Sequence, residues 1–262
     1  MASDLARSDF IRVRVAEGDA ITEPTDFSLS GSYQNEGGEL RVRALLTDVR
    51  NGEVVWSHRW TGPESEVFGL QDAVVAGVSA ALTSPWTGAI AANDLQAARS
   101  RDTESLAAYE LYLLGAFHKH RFTLEDYKIA ADYLNKAIEI DPKFAKAYST
   151  LAVVTALMAS NATHPDEVMQ LAQTRVRAIE MAARLAPNDP QTLVQLNWLN
   201  GWRGEFDRAE MVLRRAVELA PNNADVLAEA AWVGNWRGAL GADSVEWANR
   251  AKALHDTWPD WY

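Results

Sequence analysis

The chain has 262 residues, 48% of them hydrophobic and 23% charged, a globular composition with room for one large domain or two ordinary ones. Its formal net charge of −11 repels phosphate backbones and argues against nucleic-acid binding through this region. The lack of cysteine excludes disulfides, thiolate metal sites and cysteine nucleophiles.

The first 62 residues alternate in polarity. FIRVRV (Phe10–Val15), FSLSGSY (Phe27–Tyr33), ELRVRALL (Glu39–Leu46) and EVVWSHRW (Glu53–Trp60) carry apolar residues at every second position for part of their length. That is the period of half-buried strands. NEGGE and RNGE separate the last three runs and supply the positive φ of hairpin turns, so Asp26–Trp60 reads as an antiparallel three-stranded meander. Glu64–Leu82 switches to a helical period through Val67, Leu70, Val74, Val78 and Leu82, which makes it a helix covering one face of the sheet. Trp56, His58 and Trp60 share a strand face and read as packing under that helix, with a ligand platform as the alternative.

The stretch from FSLSGSY to EVVWSHRW, followed by VFGLQDAVVAGVSAAL, resembles the amino-terminal domain of TolB over about Leu5–Leu82. Such modules precede helical repeats in some bacterial class III adenylate cyclases and winged-helix regulators. The resemblance implies that the family's first strand and most of its first helix lie before Met1, and hence that the chain is a piece of a longer protein.

From about Ser105 the period is helical, and a frame recurs. AIEIDP (Ala137–Pro142), AARLAP (Ala182–Pro187) and AVELAP (Ala216–Pro221) each place an alanine five residues before a proline that stops the helix. The spacings are 45 and 34 residues, the longer one carrying an 11-residue insertion near SNATHPDEV. This resembles the tetratricopeptide repeat, a helix-turn-helix unit, in four copies over roughly Ser105–His255. The third copy fits best, with Leu193, Leu196, Ala209, Leu213, Ala216 and Pro221 at signature places, although Asn197 and Asn200 stand where the family prefers glycine and tyrosine. The first copy has extra residues near HRFT, and the fourth lacks its closing proline. TWPDWY at the end looks like the first turn of a further repeat.

The expected fold is therefore α+β: a small antiparallel sheet with a covering helix, then an α-solenoid of about four tetratricopeptide repeats. The domains are a truncated TolB-like module over residues 1–100 and the solenoid over 101–262. Chemistry is harder to find. His118 and His120 are two apart and point about 200° apart on a helix, so they share one ion only where that segment frays. No H-E-x-x-H, P-loop or G-x-S-x-G motif occurs, and Glu64/Glu66 and Glu125/Asp126 read as helix starts. No catalytic residue, metal site or cofactor is named; whether the parent protein is an enzyme stays open.

One pattern asks for a function. NWLNGWRG (Asn197–Gly204) returns 34 residues later as AWVGNWRG (Ala231–Gly238), so that Trp198 and Trp202 recur as Trp232 and Trp236. Each pair is four apart and shares a helix face. The repeat resemblance implies that first helices line a concave groove. Carried over by position, that face holds Gln191, Val194, Trp198, Gly201 and Trp202, then Asp225, Ala228, Trp232, Asn235 and Trp236. Earlier copies add Tyr109, Tyr112, Ala116 and His120, then Lys146, Ser149, Val153 and Leu157. Two readings stand: an aromatic stripe that holds a peptide or protein, or rings covered by neighbouring helices. Arg203 and Arg237 either grip a ring or carboxylate or mark helix ends before glycine.

The functional expectation is a binding module that holds a protein partner and signals to a fused effector. The alternatives are the regulatory half of a class III adenylate cyclase and the sensory half of a transcriptional regulator. No apolar run reaches the length of about 18 residues that marks a membrane helix, and the start lacks a signal-peptide core. The cytoplasm is the expected compartment, the periplasm the alternative, and a homodimer stays open.

Overall fold

The computed structural model describes residues 25–83, 88–99, 107–235 and 241–254. The run Phe10–Val15, the residues Trp236, Arg237 and Gly238, and the closing TWPDWY lie outside the described residues. The chain divides into two compact units, Met1–Asn93 and Asp94–Tyr262.

In the first unit, β1 (Phe27–Glu36), β2 (Glu39–Asp48) and β3 (Glu53–Pro63) form an antiparallel sheet in the order β1-β2-β3. The hairpins turn where glycine permits it. Gly37 and Gly38 sit at φ 62° and 82°, and Gly52 at 77°, left-handed values that a Cβ would strain. Register pairs Leu46 with Trp56 and Val42 with Trp60, and a bulge after Leu46 ends the regular pairing. A short 3-10 turn, Glu64–Glu66, leads into α1 (Val67–Thr83), and α2 (Ala89–Arg99) follows.

Ala44 and Leu46 of the sheet bury against Val78 and Leu82 of α1, with Trp56 and Trp60 packed around them. The expected covering helix is thus present, and it comes very close: a Cβ on Gly77 would lie 2.7 Å from Cζ2 of Trp60. Val67, expected on the buried stripe, is exposed instead, because the helix begins there and only later turns reach the sheet. Asp48 anchors the β2–β3 turn. It accepts from the Nε and Nη2 of Arg50 at 2.9 and 2.7 Å and from Nδ2 of Asn93 at 2.9 Å. The Arg50 bonds hold its carboxyl at about 2 against desolvation that acts the other way.

The second unit stacks helices in antiparallel pairs: α3 (Ala108–Lys119) with α4 (Leu124–Ile140), α5 (Ala145–Asn161) with α6 (Pro165–Leu185), α7 (Pro190–Trp202) with α8 (Phe206–Leu219), and α9 (Ala224–Asn235) with α10 (Gly241–Leu254). First helices neighbour one another along the array, α3 beside α5, α5 beside α7 and α7 beside α9. The repeated alanines sit at the crossings: Ala130, Ala137, Ala182 and Ala216 are fully buried, and their single methyls let backbones approach. Gly115 does the same on α3, where a Cβ would fall 2.8 Å from Cγ of Leu134.

The sequence irregularities have local causes. The 11-residue insertion lengthens both helices of the second pair, to 17 residues in α5 and 21 in α6. The extra residues near HRFT form the α3–α4 turn, where Phe122 takes a left-handed φ of 56°. Thr123 then caps α4 by accepting from the Asp126 amide at 3.0 Å. Asp189 caps α7 in the same way, taking the Thr192 amide at 2.8 Å, with Pro190 opening the helix. Asn197, where the repeat prefers glycine, donates from Nδ2 to the Ala209 carbonyl at 2.8 Å, which ties α7 to α8.

Candidate partner-binding surface

The first helices set the site. On α7 the side chains of Trp198 and Trp202 stack nearly parallel, with centroids 6.3 Å apart and planes at 9°. Trp198 is half-buried against the cluster of Ala152, Ala178, Ile179 and Leu199. Trp202 is 68% exposed, and on the next first helix Trp232 is 60% exposed. Asn235 is exposed too, while Trp236 lies outside the described residues. Arg203 ends α7 before Gly204, whose φ is 81°, and its Nη2 donates to Glu180 Oε1 at 2.8 Å. It therefore marks the helix end and grips a carboxylate of its own chain, not a partner's.

Seven residues placed on the groove lining are buried: Tyr112, Ala116, His120, Ser149, Gln191, Val194 and Asp225. That expectation of an accessible lining is corrected. The physical reason is packing between units: Val194 lies in the cluster with Val226 and Leu227, Tyr112 meets Phe144 at 5.2 Å, and Nζ of Lys119 on the first helix pair reaches Oε1 of Glu229 on the fourth at 3.6 Å. The inner layer is a polar interior. Lys119 is only 4% exposed, Asp225 is fully buried, and Nζ of Lys146 lies 3.7 Å from Oδ1 of the buried Asp189. Gln191 is enclosed, and neither amide atom has a hydrogen-bond partner among the described residues.

Desolvation dominates the titration of this interior. It pushes the Lys119 ammonium down and the Glu229 carboxyl up, and the attraction between the two opposes both shifts. His120 is held well below 6.5, by burial first and by the charge of Lys119 second. His118 faces elsewhere, its Nδ1 2.8 Å from Oδ1 of Asp126. Trp56, His58 and Trp60 stand in a row on the sheet face, with neighbouring centroids 6.2 and 4.5 Å apart, under α1.

Two contributors were missing from the sequence reading. Lys119 and Glu229 carry no motif, but LYLLGA on α3 is buried at all six positions, and a helix apolar all round has no open face to offer. The other is Arg175 on α6, whose guanidinium carbon sits 3.2 Å from the Trp198 centroid. It stands seven residues before Ala182, the place that alanine holds in the neighbouring second helices as Ala130 and Ala209.

Residues 121–144 match the family model described as a tetratricopeptide repeat. That segment is similar to one such repeat. Among curated proteins it is 25% identical over 187 residues to "Putative adenylate cyclase 3" of Rhizobium meliloti (strain 1021). That alignment covers 70% of this chain and 30% of the relative, so the chain spans under a third of that protein's length. Similar solved structures include TTC0263, a thermophilic tetratricopeptide repeat protein of Thermus thermophilus, at 16% identity and a TM-score of 0.48 over 73% of this chain and 94% of that one. Another is MamA, at 18% identity and 0.34 over 63% and 86%. No helix among the described residues is long and apolar enough to cross a membrane.

Proposed function

We propose that this chain is the protein-binding regulatory part of a larger signalling protein. Its repeats hold a peptide or protein partner and pass the partner's presence to a fused effector. The observation that carries this is the exposure of Trp202 and Trp232, at 68% and 60%, on neighbouring first helices of a repeat array. Large rigid aromatics open to water are costly to maintain and are the side chains that dominate protein interfaces. The binding surface is the tryptophan-bearing end of the first helices, since the rest of the inner layer is closed on itself.

The regulatory half of a class III adenylate cyclase is the form of this reading that the Rhizobium meliloti relative favours. The amino-terminal sheet and helix are then the TolB-like module that precedes such repeats, and the catalytic chemistry lies outside this chain. Sequencing the source reading frame on both sides tests it. An in-frame cyclase domain is expected; a frame that starts at Met1 and stops after Tyr262 removes the fused effector. The binding claim is tested separately by capturing partners with the intact chain and with a Trp202→Ala/Trp232→Ala variant. Loss of the same partner from the variant, with its melting temperature unchanged, supports the surface, and an unaltered partner set sinks it.

A further inference from the structure

Arg175 is an electrostatic anomaly. The chain has 36 acidic residues against 25 lysines and arginines, yet no carboxylate among the described residues lies within ion-pair distance of this guanidinium. Its Nε is buried with no acceptor among the described residues, and its carbon rests 3.2 Å from the centroid of Trp198. Glu180, one and a half turns further along the same helix, is already engaged by Arg203 at 2.8 Å. A half-buried cation without a counter-charge is expensive, and an aromatic face offsets only part of that cost. Desolvation lowers the guanidinium to about 9, which leaves it charged at neutral pH. The exposed ring of Trp202 extends the stack beyond Trp198.

We propose that Arg175 is a specificity-determining residue of the binding surface: it receives an aspartate or glutamate carboxylate of the bound peptide, while the Trp198–Trp202 stack seats an aromatic or bulky apolar side chain beside it. The occupant is thus an acidic-aromatic peptide segment. Charge complementarity selects it, because a guanidinium stacked on a ring points its N–H bonds sideways in its own plane, where a carboxylate can accept from them. The inference rests on the proposed peptide-binding function.

The test is selection from a random peptide library displayed on phage, with the intact chain and with Arg175→Gln, Arg175→Lys and Trp202→Ala variants as baits. The wild type is expected to enrich sequences pairing Asp or Glu with an aromatic residue. Synthetic peptides from that pool should bind Arg175→Gln about tenfold or more weakly, as loss of a hydrogen bond to a charged group implies. Arg175→Lys should keep part of the acidic preference. Trp202→Ala, altered at an exposed ring, should lose the aromatic preference and keep the acidic one. Enriched peptides with no acidic preference, or equal binding to Arg175→Gln, overturn the role of Arg175 and leave the binding function standing. No enrichment by the wild type overturns both. A thermal melt of each variant identifies loss of binding that comes from unfolding, and Trp202→Ala and Arg175→Lys then carry the decision.

Discussion

His120 shows how one buried side chain makes stability depend on pH. Burial and the charge of Lys119 hold its imidazole well below 6.5, so the unfolded chain takes up a proton near that pH while the folded chain refuses it. The folded state then binds fewer protons, and the stability tied to neutral His120 is present above pH 6.5 and lost as pH falls below it. Glu229 acts in the opposite sense, because its raised carboxyl favours the folded state on acidification, so a difference between variants is the cleaner readout. We predict that the melting-temperature advantage of the wild type over His120→Gln shrinks from about pH 7 to about pH 5; a constant difference would show that His120 titrates as in the unfolded chain. Asp48, held at about 2, contributes stability that is lost only below about pH 4, outside that window. The two stacked tryptophans separate by burial. Trp202→Ala removes an exposed ring and should change stability by no more than about 0.5 kcal/mol. Trp198→Ala strips a ring packed on α5 and α6 and should cost about 2–3 kcal/mol, measurable by urea denaturation.

At the scale of elements, two glycines decide how closely helices dock. Gly77 lets α1 lie against Trp60, and Gly115 lets α3 lie against Leu134, with would-be Cβ contacts of 2.7 and 2.8 Å. Gly→Ala in a helix ordinarily stabilises, by about 0.5–1 kcal/mol. Here we predict that overpacking outweighs that gain, and that Gly77→Ala and Gly115→Ala each destabilise by about 1–3 kcal/mol. A rise in melting temperature for either would mean that the ring or the leucine swings aside freely. The strands, their turns, the covering helix and the helix pairs were all legible in the sequence, because alternation, Gly-Gly and Asn-Gly turns and the alanine-to-proline frame are local signals. The site was legible only in part. Trp202 and Trp232 stand open, as one of the two readings required, but Tyr112, Gln191, Val194 and Asp225 do not. Val194 is closed in by Val226 and Leu227 of the next repeat, and Tyr112 by Phe144 at the start of the next pair, contacts between units that no single repeat encodes. Arg175 escaped for a related reason: it meets Trp198 across two repeats.

For the helical unit as a whole, the ion pair between Lys119 and Glu229 joins the first helix pair to the fourth at 3.6 Å, with Asp225 buried alongside. Repeat arrays are held mainly by contacts between successive units, so a link from one end to the other couples units that would otherwise unfold separately. The link is not a gain in itself, because both partners are desolvated and each is pushed toward its neutral form. Removing one partner strands the other. Lys119→Met should therefore destabilise by about 3–5 kcal/mol, since the buried Asp225 and the half-buried Glu229 are left without that cation. Adding Glu229→Leu should restore a large part of the loss, giving a coupling energy of about 1–3 kcal/mol in a double-mutant cycle. Additive losses would mean that the two ends of the array do not meet in solution. The inner layer would then be open to a partner after all, and Gln191 and Asp225 would return to the set of residues that touch it.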